Sequence, residues 1–243
     1  MELFQKLILP TETDCWNQLR PSDLFQLMIG AAGIRASLEG MSRQRLLEEK
    51  QATWMIGRME LRQYLPLYGE ETVSVHCSAR REVGTGYIRF ATVYRGQEKA
   101  AECSMLFLAV DVAKRTAIRP AELESMCTWE ASKERLPTPR RIPPIPELPA
   151  LDRHVVRWNE CDVNGHFAGV RYIDVICNAI DYWQLGRRIQ TLHVDYMHEC
   201  VAGMEIVTCG EIREEEAVVY GKTEDGQVAF RARAVFAGQE EAQ

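Results

Sequence analysis

No stretch of this 243-residue chain approaches the roughly 18 consecutive apolar residues that a membrane-spanning helix requires. Positive charge is also in short supply: 29 Lys and Arg stand against 35 Asp and Glu, a formal net charge of −6, which gives no field to gather nucleic acid. Met1 to Pro10 carry Glu2 and too short an apolar stretch for a secretory leader. The expectation is a cytoplasmic protein with no nucleic-acid partner and no membrane span. The eight cysteines are scattered and none forms a Cys-x-x-Cys pair, so they read as reduced thiols packed like small apolar residues. Metal-type spacing is missing too. Cys161, His166, His193, His198 and Cys200 are the nearest candidates, yet His193 and His198, five apart on a strand, face opposite ways. No glycine-rich phosphate loop follows a strand, and neither a metal nor a cofactor is expected.

What the chain does contain is one order of elements written twice. Prolines 137, 139, 143, 144, 146 and 149 forbid regular helix and remove sheet donors, marking a semi-rigid linker at 136–149 between domains at 1–135 and 150–243. In the first half, Leu24, Leu27, Met28, Ala31, Ile34 and Leu38 recur at helical spacing between Pro21-Ser22 and Gly40. This predicts a helix with one buried face. Gly30 and Gly33 inside it, each costing about 1 kcal/mol against alanine, predict close approach to a packed partner. Strands are expected at 59–64, 72–79, 87–94 and 100–111, with a turn at Arg95-Gly96.

In the second half, Val170, Ile173, Cys177, Ile180 and Gln184 mark a helix stripe, with Ile176 beside it. Strands are expected at 191–197, 205–210, 216–222 and 227–236, the last opened by the hairpin signal Asp225-Gly226. Gly69-Glu70-Glu71-Thr72-Val73 parallels Gly203-Met204-Glu205-Ile206-Val207, and Gly96-Gln97 parallels Gly226-Gln227. A duplicated unit of one long helix followed by an antiparallel sheet that curls round it is an α+β, tandem hot-dog fold.

Chemistry concentrates just before the second helix, in residues 158–172. Asp162, Asn164 and His166 alternate, so extended backbone would bring a carboxylate, an amide and an imidazole to one side. The helix start adds free N–H groups for a carbonyl oxygen gaining negative charge. Taken singly, each of these residues reads equally well as a helix cap.

The segment resembles the D-x-N-x-H-V-N-N-x-x-Y signature of the acyl-acyl carrier protein thioesterases of plants and bacteria, matched by Asp162, Asn164, His166 and Tyr172. Tyr196-Met197-His198-Glu199-Cys200 is similar to the family's second landmark, and Trp54-Met55-Ile56, the stretch from Tyr64 to Glu70, and Asp111 to Arg119 are similar to its first half. The sequence departs from the pattern where Phe167-Ala168-Gly169 replaces Val-Asn-Asn.

This resemblance implies a thioester hydrolase. Asp162, Asn164, His166, Glu199 and Cys200 take the catalytic positions, and Trp54, Phe167, Ala168, Gly169 and Tyr172 contact substrate. Asp162 and Glu199 are alternative bases or nucleophiles, Asn164 and His166 orient the reactants, and amides near 167–169 polarise the carbonyl. Cys200 reads as buried filler more readily than as a nucleophile. The implied partner is an acyl carrier protein, with Arg140, Arg141, Arg153, Arg157, Arg171, Arg187 and Arg188 as candidate contacts for its acidic surface. Acyl-coenzyme A hydrolysis, acyl binding without turnover and hot-dog dehydration are the rivals. Either a monomer or a homodimer fits a tandem.

Overall fold

The computed structural model describes residues 2–128, 132, 133 and 135–238. By contact density the chain falls into two units, Met1–Met59 with Tyr64–Pro139, and Glu60–Gln63 with Arg140–Gln243.

The first unit is built round α1 (Pro21–Leu38), which begins with Pro21 in its first turn, where a missing N–H costs nothing. It ends at Gly40, whose φ of +78° and whose position 2.6 Å, for an added Cβ, from the Met126 carbonyl admit only glycine. The helix packs on β1 (Glu2–Leu7), β3 (Thr72–Cys77) and β5 (Gly86–Arg95). The sheet continues through β6 (Glu98–Asp111) to β2 (Ala52–Gln63), while β4 (Arg81–Val83) and β7 (Ala117–Ile118) pair on β5 and β6. A second helix, α2 (Arg43–Lys50), is capped by Ser42, whose hydroxyl accepts from the Arg45 N–H at 3.2 Å. Beside it Met41, Leu46, Ala52, Tyr87, Leu123 and Met126 form a buried apolar cluster that includes the end of α3 (Pro120–Leu123).

Two expectations for α1 need correction. Its buried face is Leu24, Phe25, Met28, Ala31, Ala32, Arg35 and Ala36, while Ile34 and Leu38 are 44% and 46% exposed. An ion-pair network sets this rotation. Glu39 is fully buried, and the guanidiniums of Arg35 (3.0 Å), Arg89 (2.8 Å) and Arg80 (3.8 Å) converge on its carboxylate. Turning Ile34 inward would pull Arg35 and Glu39 out of that network and leave Arg89 buried against no carboxylate. The second correction concerns Gly30 and Gly33: a Cβ added at either meets nothing within 4 Å, so close packing does not explain them.

The second unit starts with β8 (Ala150–Val155), then carries α4 (Gly169–Ala179) against β8 and β10 (Glu205–Ile212). Its sheet runs β9-β12-β11-β10-β8, with β9 (Ile189–Tyr196), β11 (Glu216–Thr223) and β12 (Val228–Phe236). Along β12, Ala229, Phe230, Ala232, Ala234 and Phe236 are buried and Arg233 is exposed. The expected helix through Gln184 is shorter. It stops at Ala179, Asp181 adopts a left-handed φ of +54°, and a separate turn α5 (Tyr182–Leu185) leaves Gln184 exposed. Each unit is a hot-dog arrangement, the α+β fold expected. Among the described residues, no helix is long and apolar enough to cross a membrane.

The proline-rich segment is seated by side chains, because its prolines offer carbonyls but no N–H. In the first unit, Arg81 donates to the Leu136 carbonyl (3.3 Å), the Ser104 hydroxyl to that of Pro137, and Arg58 to that of Pro139 (3.4 Å). In the second, the Ile142 N–H donates to the buried Asp195 carboxylate (2.9 Å) and the Leu148 N–H to the Tyr220 hydroxyl (3.2 Å).

Candidate active site

Residues 157–168 form a tight hairpin, not the extended backbone that alternation suggested. The Ala168 N–H donates to the Glu160 carbonyl (2.9 Å), Cys161 pairs with Phe167, and the Asp162 N–H donates to the His166 carbonyl (2.7 Å). At the tip the Gly165 N–H returns to the Asp162 carbonyl (3.0 Å), with a φ of +78° that glycine reaches without strain. The Asp162 carboxylate holds the turn, accepting from the N–H groups of Asn164 (2.7 Å) and His166 (3.3 Å) and from the Asn164 amide (3.3 Å). Asp162, Asn164 and His166 are therefore gathered by turn chemistry.

The hairpin leans on the loop after β9. The Phe167 N–H donates to the Cys200 carbonyl (2.7 Å) and His166 pairs with Val201, which sets His166 Nε2 3.4 Å from Glu199 Oε2. Both side chains are partly shielded, 16% and 27% exposed. Cys200 is fully buried. Burial pushes its thiol pKa up, more than the hydrogen bond with the Tyr172 hydroxyl pulls it down, so the reactive thiolate is disfavoured.

The residues expected at the substrate divide. Phe167 and Tyr172 are buried and belong to an aromatic group: Phe167–Tyr172 at 4.6 Å, Tyr172–Tyr196 at 5.5 Å and Tyr172–Phe230 at 5.6 Å between ring centres. The amides of Phe167 and Ala168 are engaged by the Cys200 and Glu160 carbonyls, which corrects their expected availability to a substrate carbonyl. Gly169 and Val170, the first two residues of α4, have no carbonyl one turn earlier in the helix to accept from their N–H groups. The Tyr196 hydroxyl donates to the Gly169 carbonyl (3.0 Å) and steadies this turn. Trp54 lies in the first unit, its indole N–H donating to the Met41 carbonyl (3.0 Å) and its ring edge-on to Tyr87 at 5.3 Å.

Among the candidate arginines, Arg188 is corrected: it is buried, donating to the Gln63 carbonyl (2.7 Å). Arg140, Arg141, Arg153, Arg157 and Arg171 are exposed, Arg153 pairing with Glu205 (2.7 Å) and Arg171 with Asp174 (3.0 Å). Sequence reasoning missed His154 and Glu160, which meet at 2.9 Å beneath the hairpin. The three-residue spacing from Arg157 to Glu160, a self-capped turn in the structure, was the available signal. Among the described residues, no group of three or more His, Cys, Asp and Glu side chains gathers as metal ligands would.

Residues 148–239, which hold the hairpin, Glu199 and Cys200, match the family model of the acyl-ACP thioesterase C-terminal domain. The chain resembles the acyl-ACP thioesterase family. Its fold is similar to that of an acyl-ACP thioesterase from Bacteroides thetaiotaomicron, with a TM-score of 0.82 and 22% identity over 96% of each chain. It is similar also to a 12:0-ACP thioesterase from Umbellularia californica, with a TM-score of 0.79 and 16% identity over 96% of each chain. No curated protein matches in sequence. The acyl-ACP thioesterase likeness thus covers the fold of nearly the whole chain, and the family model covers its second half.

Proposed function

We propose that the protein hydrolyses fatty acyl thioesters of an acyl carrier protein, with Glu199 as the base that activates water. The observation carrying this reading is the 3.4 Å approach of Glu199 to His166, set against an Asp162 carboxylate already committed to the N–H groups of its own turn. Glu199 takes a proton from water as the oxygen adds to the thioester carbonyl, and His166 orients the carboxylate. The N–H groups of Gly169 and Val170 stabilise the oxyanion. Collapse of that intermediate breaks the C–S bond, passes the proton to the leaving thiolate and releases the fatty acid. Asp162 and Asn164 hold the hairpin, and Cys200 packs beneath it.

In this reading 150–243 is the catalytic domain, 136–149 the linker, and 1–135 shapes the acyl pocket, with Trp54 in its wall. Phe167, Ala168, Gly169 and Tyr172 bound the reacting end of the substrate. The exposed Arg140, Arg141, Arg153, Arg157 and Arg171 meet the carrier protein's acidic surface. The test is hydrolysis of medium- and long-chain acyl thioesters on carrier protein and on coenzyme A, read as released thiol. A preference for the carrier at equal chain length supports the proposal; equal or faster turnover of coenzyme A thioesters replaces the substrate, and no thiol release removes the hydrolase.

A further inference from the structure

We infer that Glu160, locked by His154, is the positioning residue that fixes the catalytic hairpin, an inference that rests on the hydrolase reading above. Glu160 makes three ties at the hairpin's base. Its carboxylate accepts from the Arg157 N–H at 2.7 Å and meets His154 Nε2 at 2.9 Å, and its carbonyl accepts from the Ala168 N–H at 2.9 Å. The first tie closes the turn Trp158–Glu160, the second anchors that turn to β8, and the third fixes where the hairpin ends and α4 begins.

The pair also reaches the other loop. The His154 ring packs on Phe167, centres 5.6 Å apart, and the Phe167 N–H donates to the carbonyl of Cys200, the neighbour of Glu199. An unbroken path of side-chain and backbone contacts therefore runs from β8 through His154, Glu160 and Phe167 to the segment that presents Glu199. With Glu160 shortened, the base of the hairpin loses two of its three ties, while the Asp162 turn at its tip stays intact. The hairpin then swings as a unit, and the separation of His166 from Glu199 is what changes. Neither His154 nor Glu160 touches substrate in this scheme. They act through the geometry of the two residues that do, where displacement of about 1 Å costs about 10²-fold in rate.

The experiment compares steady-state hydrolysis and amide hydrogen exchange in wild type, Glu160→Ala, Glu160→Gln, His154→Phe and His154→Gln. Glu160→Ala is expected to lower kcat by about 10²-fold with little change in KM. Glu160→Gln, whose amide oxygen accepts the same N–H groups, should restore most of it. His154→Phe keeps the stack on Phe167 but has no donor, so its kcat should fall toward that of Glu160→Ala, whereas His154→Gln should recover part. Wild-type kcat in Glu160→Ala, or equal losses in Glu160→Ala and Glu160→Gln, overturns the inference and leaves the hydrolase standing. If the wild type itself releases no thiol, the hydrolase reading fails. Exchange at the Phe167 amide, which ties the hairpin to the Cys200 carbonyl beside Glu199, then decides the positioning: faster exchange in Glu160→Ala supports it, and unchanged protection overturns it.

Discussion

Glu199 Oε2 lies 3.4 Å from His166 Nε2, although the two residues sit on different loops and neither loop belongs to a helix or strand. Two backbone links between the loops, Phe167 N–H to Cys200 carbonyl and the pairing of His166 with Val201, hold that distance. The chemistry therefore depends on the hairpin keeping its shape, and several measurable consequences rest on what holds it.

Asp162 acts first on the backbone. Its Oδ1 accepts from two N–H groups, and an asparagine keeps an oxygen in that place while an alanine does not. Asp162→Ala is therefore expected to lose more activity than Asp162→Asn, and to lose amide-exchange protection at His166. Equal activity and equal protection in the two variants would show that the carboxylate does not hold the turn.

Cys200 should be dispensable for turnover. Its thiol is buried, held protonated and hydrogen-bonded with Tyr172. Cys200→Ala is expected to keep kcat near the wild-type value, and native protein should resist iodoacetamide at this site under conditions that label the exposed Cys15. An inactive, folded Cys200→Ala would restore the thiol as nucleophile.

Glu39 makes stability depend on pH. Burial raises its pKa, but the hydrogen bond and charge of Arg89, with help from Arg35 and the Arg80 N–H, outweigh that and hold it below the ordinary carboxylate range. A depressed folded-state pKa contributes stability that is complete above the unfolded value, about 4.3 for Glu, and is lost as pH falls through the folded value. Glu39→Gln should cost about 3–5 kcal/mol at neutral pH, because three guanidiniums then surround a neutral amide. Denaturant melts should show that gap narrowing below about pH 4; a gap that is constant with pH would contradict the ion-pair account.

Gly33 is a helical glycine with open space where a Cβ would stand. Gly33→Ala should raise stability by up to about 1 kcal/mol, read as a shift in the urea midpoint without a change in slope. A destabilised variant would mean that the glycine serves a close contact after all.

Much of this fold was legible because helix and strand periods are written directly in the apolar residues. The helix at Pro21–Leu38 and the strands from Thr72, Gly86, Glu98, Glu205, Glu216 and Val228 fall within a few residues of the pattern. The errors have identifiable causes. Ile34 and Leu38 were assigned inward by hydrophobicity alone, whereas Arg35 and Glu39 decide the face through partners distant in sequence. β1, α2 and β8 were not foreseen: β8, Ala-Leu-Asp-Arg-His-Val, hides its period under charge. At the site, Asp162, Asn164 and His166 stood out by their spacing before the second helix, Glu199 and Cys200 came from the family resemblance, and the gathering of the first three by a turn at Gly165 left no mark in the sequence pattern. Glu160 carried only the faint signal of its three-residue step from Arg157, and its partner His154, six residues away, carries no periodic mark until the turn brings the two together.

The most direct test is single-turnover hydrolysis of an acyl-acyl carrier protein thioester by folded Glu199→Gln. The amide keeps the shape of the side chain but cannot take a proton from water. Loss of the rate by about 10²–10⁴-fold, with substrate binding retained, is the expected result; hydrolysis at the wild-type rate would mean that Glu199 is not the base.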